Sequence, residues 1–362
     1  MPPTPTTNFH GTGLGVSFIP EATGAVQVEF SRNPDSFALN QYCRMIPGVA
    51  AAGYYIEFDS EDAIRVVNSQ DFIWPDGQEA PRGENREVRW KPYVCERYAY
   101  PWELGERAMR NAQNVSNVDL ATSNARGKGA QAMTARSYAA VSALAAASWG
   151  SNTAATVDAL LSDSGKSWTT SSVADQIIEN SIRTVTQTIH QATGGVIGAD
   201  ALCCVVSPAI ARQMALTAEI VDYRKAHNDT WRLLNGYERD LLNTWGLPPY
   251  IAGVRMCVED AARVTTRKGA TTTTEYLTGN SAYFLARVEG AGGTPAGLTS
   301  DINGYIGPQL STLVGFIEDG GDMLVEQRVD PWHKRAEGRV VDTWDFEVAA
   351  PISGFYLADV TT

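Results

Sequence analysis

The chain has 362 residues, 44% hydrophobic and 19% charged, enough for two or three globular units. A net charge of −12 without any dense basic run excludes a sequence-specific reader of DNA, which needs a basic face, and suits a surface that must not hold nucleic acid. No run of about 18 apolar residues offers a membrane span, and five scattered cysteines read as reduced core residues rather than a disulfide framework.

Residues 1–15, rich in Pro, Thr and Gly, read as an extended arm without the charged start or apolar run of a secretion signal. Val26, Val28 and Phe30 alternate with polar residues and predict a short strand. Residues 37–45 predict a short helix stopped by Pro47. Tyr54, Ile56 and Phe58 then alternate with Tyr55 and Glu57 as the outgoing arm of a hairpin. On the return arm Val88, Trp90, Pro92, Val94, Tyr98 and Tyr100 share one parity, against Glu87, Arg89, Lys91 and Arg97, which is the period of an amphipathic strand. Pro92 removes a ladder donor and assigns that strand to an edge. The tip between the arms, 68–85, reads NSQDFIWPDGQEAPRGEN. A hairpin of about 50 residues is too long for a turn. Its apolar face needs a support, either the chain's own body or another subunit.

Residues 117–149, NVDLATSNARGKGAQAMTARSYAAVSALAAASW, are alanine-rich, lack proline and predict one helix spanning roughly 50 Å. Asn117 or Asp119 is its expected N-cap and Gly150 its left-handed C-cap. Val118, Ala125, Gly129, Ala132, Met133, Ala140, Leu144 and Ala147 make a stripe of mostly small residues, which lets another backbone approach closely. Gly127 and Gly129 each cost about 1 kcal/mol in a helix interior. They are either tolerated weak spots or a hinge.

Residues 151–170 read as loop with a helical piece at 157–161. Ser172 with Asp175 reads as the cap of a helix over 173–192, whose Ile178, Ile182, Val185 and Ile189 form one stripe. ALCCVV at 201–206 suits a buried strand, and Ser207 with Pro208 opens another helix. A further helix is predicted at 235–244, with strands at 254–258 and 282–288, so that 173–288 reads as an α/β unit. The tail is β-rich, with strands at 313–317, 323–329, 339–348 and 354–360 and a polar tip, PWHKRAEG, at 331–338.

No catalytic set emerges. The four histidines (His10, His190, His227, His333) fall in no motif, and neither a G-x-S-x-G elbow nor a phosphate-binding glycine loop is present. No CxxC or HxxH pair supports a metal. The residues predict no catalytic, cofactor-binding or metal site.

The order of parts resembles the major capsid protein of tailed double-stranded-DNA bacteriophages, the Hong Kong 97-type fold. The resemblance rests on EAPRGENREVRWKPYVCERYAY, the alanine-rich helix after it, ALCCVVSPAIARQM and RVVDTWDFEVAAPISGFYLADV. It implies an α+β fold. An N-terminal arm would occupy 1–46, and an extended β-hairpin loop lying over a neighbour 47–104. A peripheral domain at 105–172 would carry the spine helix 117–149. An axial domain at 173–307 would gather at five-fold and six-fold centres. Return strands at 308–353 would include the 331–338 tip near three-fold axes, and a C-terminal strand would close the chain at 354–362.

The resemblance further implies a structural, non-enzymatic subunit that self-assembles into hexamers and pentamers. The product is an icosahedral shell around packaged double-stranded DNA, in a virion assembled in the host cytoplasm. A portal is implied, together with any scaffolding or decoration protein as a separate chain. Inter-subunit candidates are Asp71, Trp74, Asp76, Glu79, Arg82, Glu84, Arg86 and Trp90 on the loop, and Lys334, Arg335 and Arg339 as bases for its acids. Some members cross-link a loop lysine to an asparagine; 68–85 contains no lysine and the nearest is Lys91, so no covalent chainmail is expected. Shells of this family change curvature as they expand, which favours Gly127 and Gly129 as a hinge. An encapsulin-like compartment of the same fold and a soluble α/β enzyme are the alternatives.

Overall fold

The structure is a computed structural model that describes residues 7–9, 14–16, 32–33, 36–58, 88–116, 120–226, 237–267, 269–287 and 311–361. The strand read around Val26, Val28 and Phe30 lies outside these residues. The chain begins with the antiparallel pair β1 (Thr7–Phe9) and β2 (Leu14–Val16), followed by a single helical turn, α1 (Leu39–Tyr42). The helix expected to run to Pro47 is cut short, because Arg44–Val49 is already a strand, β3, with Pro47 inside it. β3 is the edge of a five-stranded sheet, where a missing donor is tolerated.

β4 (Ala52–Phe58) and β5 (Val88–Val94) form the predicted hairpin as a two-stranded ribbon. The return arm is not one strand, however. It breaks at Cys95, and β6 (Glu96–Gly105) joins the five-stranded sheet. After α2 (Glu106–Ser116), whose polar composition hid it, comes the long helix α3 (Leu120–Ala146). It runs unbroken through Gly127 and Gly129 and ends earlier than the 149 expected. Trp149 folds back and donates its indole N–H to the Leu144 carbonyl at 3.0 Å, satisfying a terminal acceptor. Gly150 does take the left-handed conformation (φ +56°), but beyond the helix end. The expected caps Asn117 and Asp119 lie outside the described residues.

The middle of the chain contributes β7 (Thr153–Thr156), α4 (Val157–Leu161), α5 (Ile177–Ala192), β8 (Leu202–Val206), α6 (Pro208–Leu216), α7 (Ala218–Ala226), α8 (Tyr237–Trp245), β9 (Tyr250–Ile251), β10 (Val254–Val258), the small hairpin β11 (Ala262–Val264) and β12 (Thr274–Tyr276), and β13 (Ala282–Ala286). The tail adds β14 (Leu313–Glu318), β15 (Leu324–Asp330), β16 (Arg335–Val348) and β17 (Phe355–Asp359). A six-stranded sheet has the order β7-β17-β13-β8-β10-β9, so the last strand of the chain sits inside the α/β unit. β8 is buried at every residue, as its apolar run demands. Ser207 accepts the Ile210 N–H at 3.3 Å and Pro208 fills the first turn of α6, as predicted.

α5 starts at Ile177 rather than 173. Ser172 and Asp175 close a turn on each other. The helix is capped instead by the buried carboxylate of Glu219 on α7, which accepts from Ile178 N at 3.1 Å and Glu179 N at 2.8 Å. Cys203 on β8 and Cys257 on β10 lie side by side, with Cα atoms 6.5 Å apart. The expectation of five scattered thiols did not foresee this approach: parallel pairing sets Cys257 opposite Val205 and so brings it diagonally beside Cys203, far away in sequence. Cys43, Cys95 and Cys204 are free and buried.

The five-stranded sheet runs β15-β16-β14-β3, with β6 on the other side of β16. β16 begins at Arg335, so the tip expected over 331–338 shrinks to 331–334, and Arg335 and Arg339 lie within the sheet. α3 lies across β16 and β6. Ala132, Met133, Ala140 and Leu144 of the predicted stripe are buried, and so is Arg136 between them. Its guanidinium bonds the fully buried Asp342 of β16, with Nε–Oδ2 at 2.8 Å, and reaches Asp322 at 2.8 Å. One apolar core fills the α/β unit around Ile178, Ile182, Ile189, Val206, Met214 and Phe284. A second joins α1, α3, β14 and β16 to the other face of the six-stranded sheet through Leu39, Tyr42, Met133, Leu144, Tyr283 and Phe346. Tyr42 donates to the buried carboxylate of Glu259 at 2.6 Å and so fixes α1 against the end of β10.

Candidate interaction surface

Among the described residues the ribbon is anchored by one face. Gly53, Tyr55 and Glu57 pair with Tyr93, Lys91 and Arg89. On that side Tyr93 stacks on Phe316 of β14 at 4.2 Å and Tyr55 does so at 5.7 Å, while Glu57 and Lys91 form an ion pair at 2.8 Å. Burial, then the charges of Glu347, Glu57 and Asp345, push the Tyr55 hydroxyl up to about 12. At the root, Val94 N donates to Asp345 at 2.9 Å and Cys95 N to the Ala51 carbonyl at 2.8 Å. The ribbon therefore leaves the body at a fixed angle.

Among the described residues nothing packs on the other face. Register places Ala52, Tyr54 and Ile56 opposite Val94, Pro92 and Trp90. Tyr54 is 69% exposed, Ile56 46%, Trp90 64% and Val94 57%. Trp90, one of the interface candidates, is thus exposed. This open face arises from a phase change. Tyr93 and Cys95 point inward, Glu96 and Arg97 both point out, and Tyr98 turns inward to stack on Trp344 at 4.3 Å. The even-numbered apolar residues therefore face solvent on β5 and the protein on β6, where Trp102 is buried against Gly338 so closely that a Cβ there would lie 2.0 Å from its ring.

At the far end of the sheet, the turn 331–334 presents Trp332, 93% exposed. Asp330 fixes the turn, accepting from Trp332 N at 3.1 Å and His333 N at 3.2 Å, with His333 Nδ1 2.5 Å from its second oxygen. The predicted bases divide. Arg335 is already paired with Glu337 at 2.7 Å and Glu103 at 3.0 Å, and Arg339 with Glu326 at 2.5 Å. Lys334 makes no ion pair among the described residues; its carbonyl accepts Glu106 N at 2.8 Å. Asp71, Trp74, Asp76, Glu79, Arg82, Glu84 and Arg86 lie outside the described residues. Gly127 and Gly129 have open space where a Cβ would stand. Sequence reasoning missed Trp332, although a tryptophan in an otherwise polar turn is a visible signal.

Among the described residues no three His, Cys, Asp or Glu side chains gather as a metal site, and no helix is long and apolar enough to cross a membrane. His190 has Nδ1 3.0 Å from the Ile197 carbonyl, a structural bond at the end of α5.

No family model matches the chain, and no curated protein matches it by sequence. Solved structures do match in three dimensions. A phage-related protein from Bordetella bronchiseptica RB50 superposes with a TM-score of 0.56 at 14% identity, over 94% of this chain and 95% of its own. The capsid structure of cyanophage P-SCSP1u gives 0.55 at 9% identity, over 94% and 92%. The mature capsid of bacteriophage PhiM1 gives 0.54 at 12% identity, over 92% and 89%. The chain has the α+β fold of phage capsid proteins, the Hong Kong 97-type fold that the order of its parts resembles.

Proposed function

We propose that this chain is the major capsid protein of a tailed double-stranded-DNA bacteriophage, which self-assembles into hexamers and pentamers of an icosahedral shell. The observation that carries the proposal is the open apolar face of Tyr54, Ile56, Trp90 and Val94 on a ribbon held by its other face. Such a face is a liability on a lone subunit and makes sense when a second copy covers it. The fold shared with two phage capsid structures supplies the context for that covering.

In this reading the ribbon of β4 and β5 is the extended loop and lies over a neighbour, while β6, at the end of the expected 47–104 span, belongs to the body. α3 is the spine of a peripheral domain built with β6 and β16, and the six-stranded sheet with its helices is the axial domain around five-fold and six-fold centres. The subunit is structural rather than enzymatic. Its charge of −12 suits a wall that encloses DNA without reading it. A portal, and any scaffolding or decoration protein, are separate chains, and assembly takes place in the host cytoplasm ahead of the finished virion.

Sedimentation of the expressed chain tests the proposal. Closed shells sediment as megadalton particles, far above the 39.1 kDa chain. A monomer or small fixed oligomer at every concentration contradicts it. Nuclease-protected DNA inside particles taken from infected cells supports the phage role, and a protein cargo in its place contradicts it.

A further inference from the structure

The open ribbon face and Trp332 stand at opposite ends of one sheet. β6 and β16 pair continuously from Gly105 with Arg335 to Glu96 with Trp344. Trp332 lies just beyond the first pair, and the ribbon springs from Cys95, just beyond the last. Paired strand of this length, at about 3.3 Å per residue, holds the two features roughly 30 Å apart. They cannot meet within one chain.

Among the described residues each feature lacks a partner, and each suits the other. Trp332 is a large apolar knob on a turn already fixed by Asp330, so little freedom is lost when it docks. The ribbon face is flat, apolar and aromatic at Tyr54 and Trp90, and rigid at its root. Charge agrees. Lys334 beside the knob makes no ion pair among the described residues, and the sequence 59–87, which lies between β4 and β5 along the chain, carries eight carboxylates against three arginines.

We propose that Trp332 of one copy seats on the face made by Tyr54, Ile56, Trp90 and Val94 of a second copy, joining the two sheets head to tail. The contact rests on the shell reading above and names the side chain that covers the ribbon. Repeated in one rotational sense rather than exchanged between two copies, this contact propagates into rings or a shell. A buried tryptophan contributes about 150–250 Å², far below the roughly 1,200 Å² of a stable pair. The contact is therefore empty in dilute monomer and filled only in the assembly.

Paired cysteines test it. Trp332→Cys and Ile56→Cys are placed in one chain, shells are assembled and mildly oxidised, and the products are run on a non-reducing denaturing gel. The expected result is a ladder of multimers from the double variant and none from either single variant; the native free cysteines are buried. Shells without a ladder, or dimers from Trp332→Cys alone because the tips meet each other, overturn the contact and leave the shell reading standing. Failure of the unmodified chain to form shells overturns that reading, and the contact with it. If the double variant does not assemble, Trp332→Phe and Trp332→Ser decide. Phe should keep the assembly threshold within about threefold and Ser should raise it more than tenfold, whereas an unchanged threshold for Ser overturns the contact.

Discussion

Exchanging Ile56 and Trp90 for lysine separates the ribbon's place in the fold from its place in an assembly. In the lone chain both side chains already stand 46% and 64% in water, so the exchange costs the fold no more than about 0.5 kcal/mol at each site. In a shell the remaining exposed half of each is covered. Full burial of such side chains is worth about 1.5–3 kcal/mol, so half is worth about 1 kcal/mol each. Burying each lysine head without a partner adds roughly 1–3 kcal/mol. The contact thus loses about 4–8 kcal/mol, and at 1.4 kcal/mol per tenfold the threshold concentration for assembly rises by about three to six orders of magnitude. Light scattering against concentration reads the threshold, and urea melts of unassembled chain read the fold. Tyr93→Ala is the control: Tyr93 is buried on the opposite face and stacked on Phe316, and its loss lowers fold stability by about 3 kcal/mol. A double-lysine variant that assembles at the unmodified threshold, or melts as early as Tyr93→Ala, refutes the reasoning.

Asp342→Ala removes the buried partner of the Arg136 guanidinium and leaves it Asp322 alone, and should lower the urea unfolding free energy by up to about 3 kcal/mol, while Arg136→Met with Asp342→Leu should recover most of that loss. Burial holds the Glu259 carboxyl above its ordinary 4.5. The folded state therefore binds the proton more tightly, and this group's contribution is full below pH 4.5 and falls as pH rises. Glu259→Gln should flatten that decline in urea midpoints measured from pH 5 to 8; an unchanged slope assigns the decline to other groups. Gly127→Ala with Gly129→Ala meets open space and should stabilise the unassembled chain by roughly 2 kcal/mol. If the two glycines act as a hinge, shell expansion slows in the same variant, as time-resolved scattering will show. Lys91 is engaged by Glu57, and 68–85 contains no lysine. Boiled shells should therefore give one chain-length band, and a ladder would show covalent cross-links.

The parts that the sequence revealed are those in which one local pattern decides burial. β8 is apolar at every residue and lies inside a sheet. The four-three-four spacing of Ile178, Ile182, Val185 and Ile189 lines the buried face of α5. What it concealed depends on partners distant along the chain. Apolar parity runs from Val88 to Tyr100 with one break at Glu96, and the inward face flips there, between Cys95 and Tyr98, because β5 pairs with β4 and β6 with β16. That flip leaves the ribbon's apolar side open, and no periodicity shows it. Arg136 hides among alanines because its partner Asp342 is brought to it by the sheet. Glu219 takes over the cap that Ser172 was expected to supply, from about forty residues away. Pro47 reads as a helix stop, although an edge strand accommodates it equally well. Of the interface candidates, Trp90 stands exposed, whereas Arg335 and Arg339 are neutralised within their own sheet and leave Lys334 and Trp332 at the tip.

Electron microscopy of particles assembled from the full chain tests the central claim most directly. Closed isometric shells are expected, in which residues 52–94 cross onto a neighbouring subunit and Tyr54, Ile56 and Trp90 are covered. A small discrete oligomer, or shells in which that face of the ribbon remains in solvent, would contradict it.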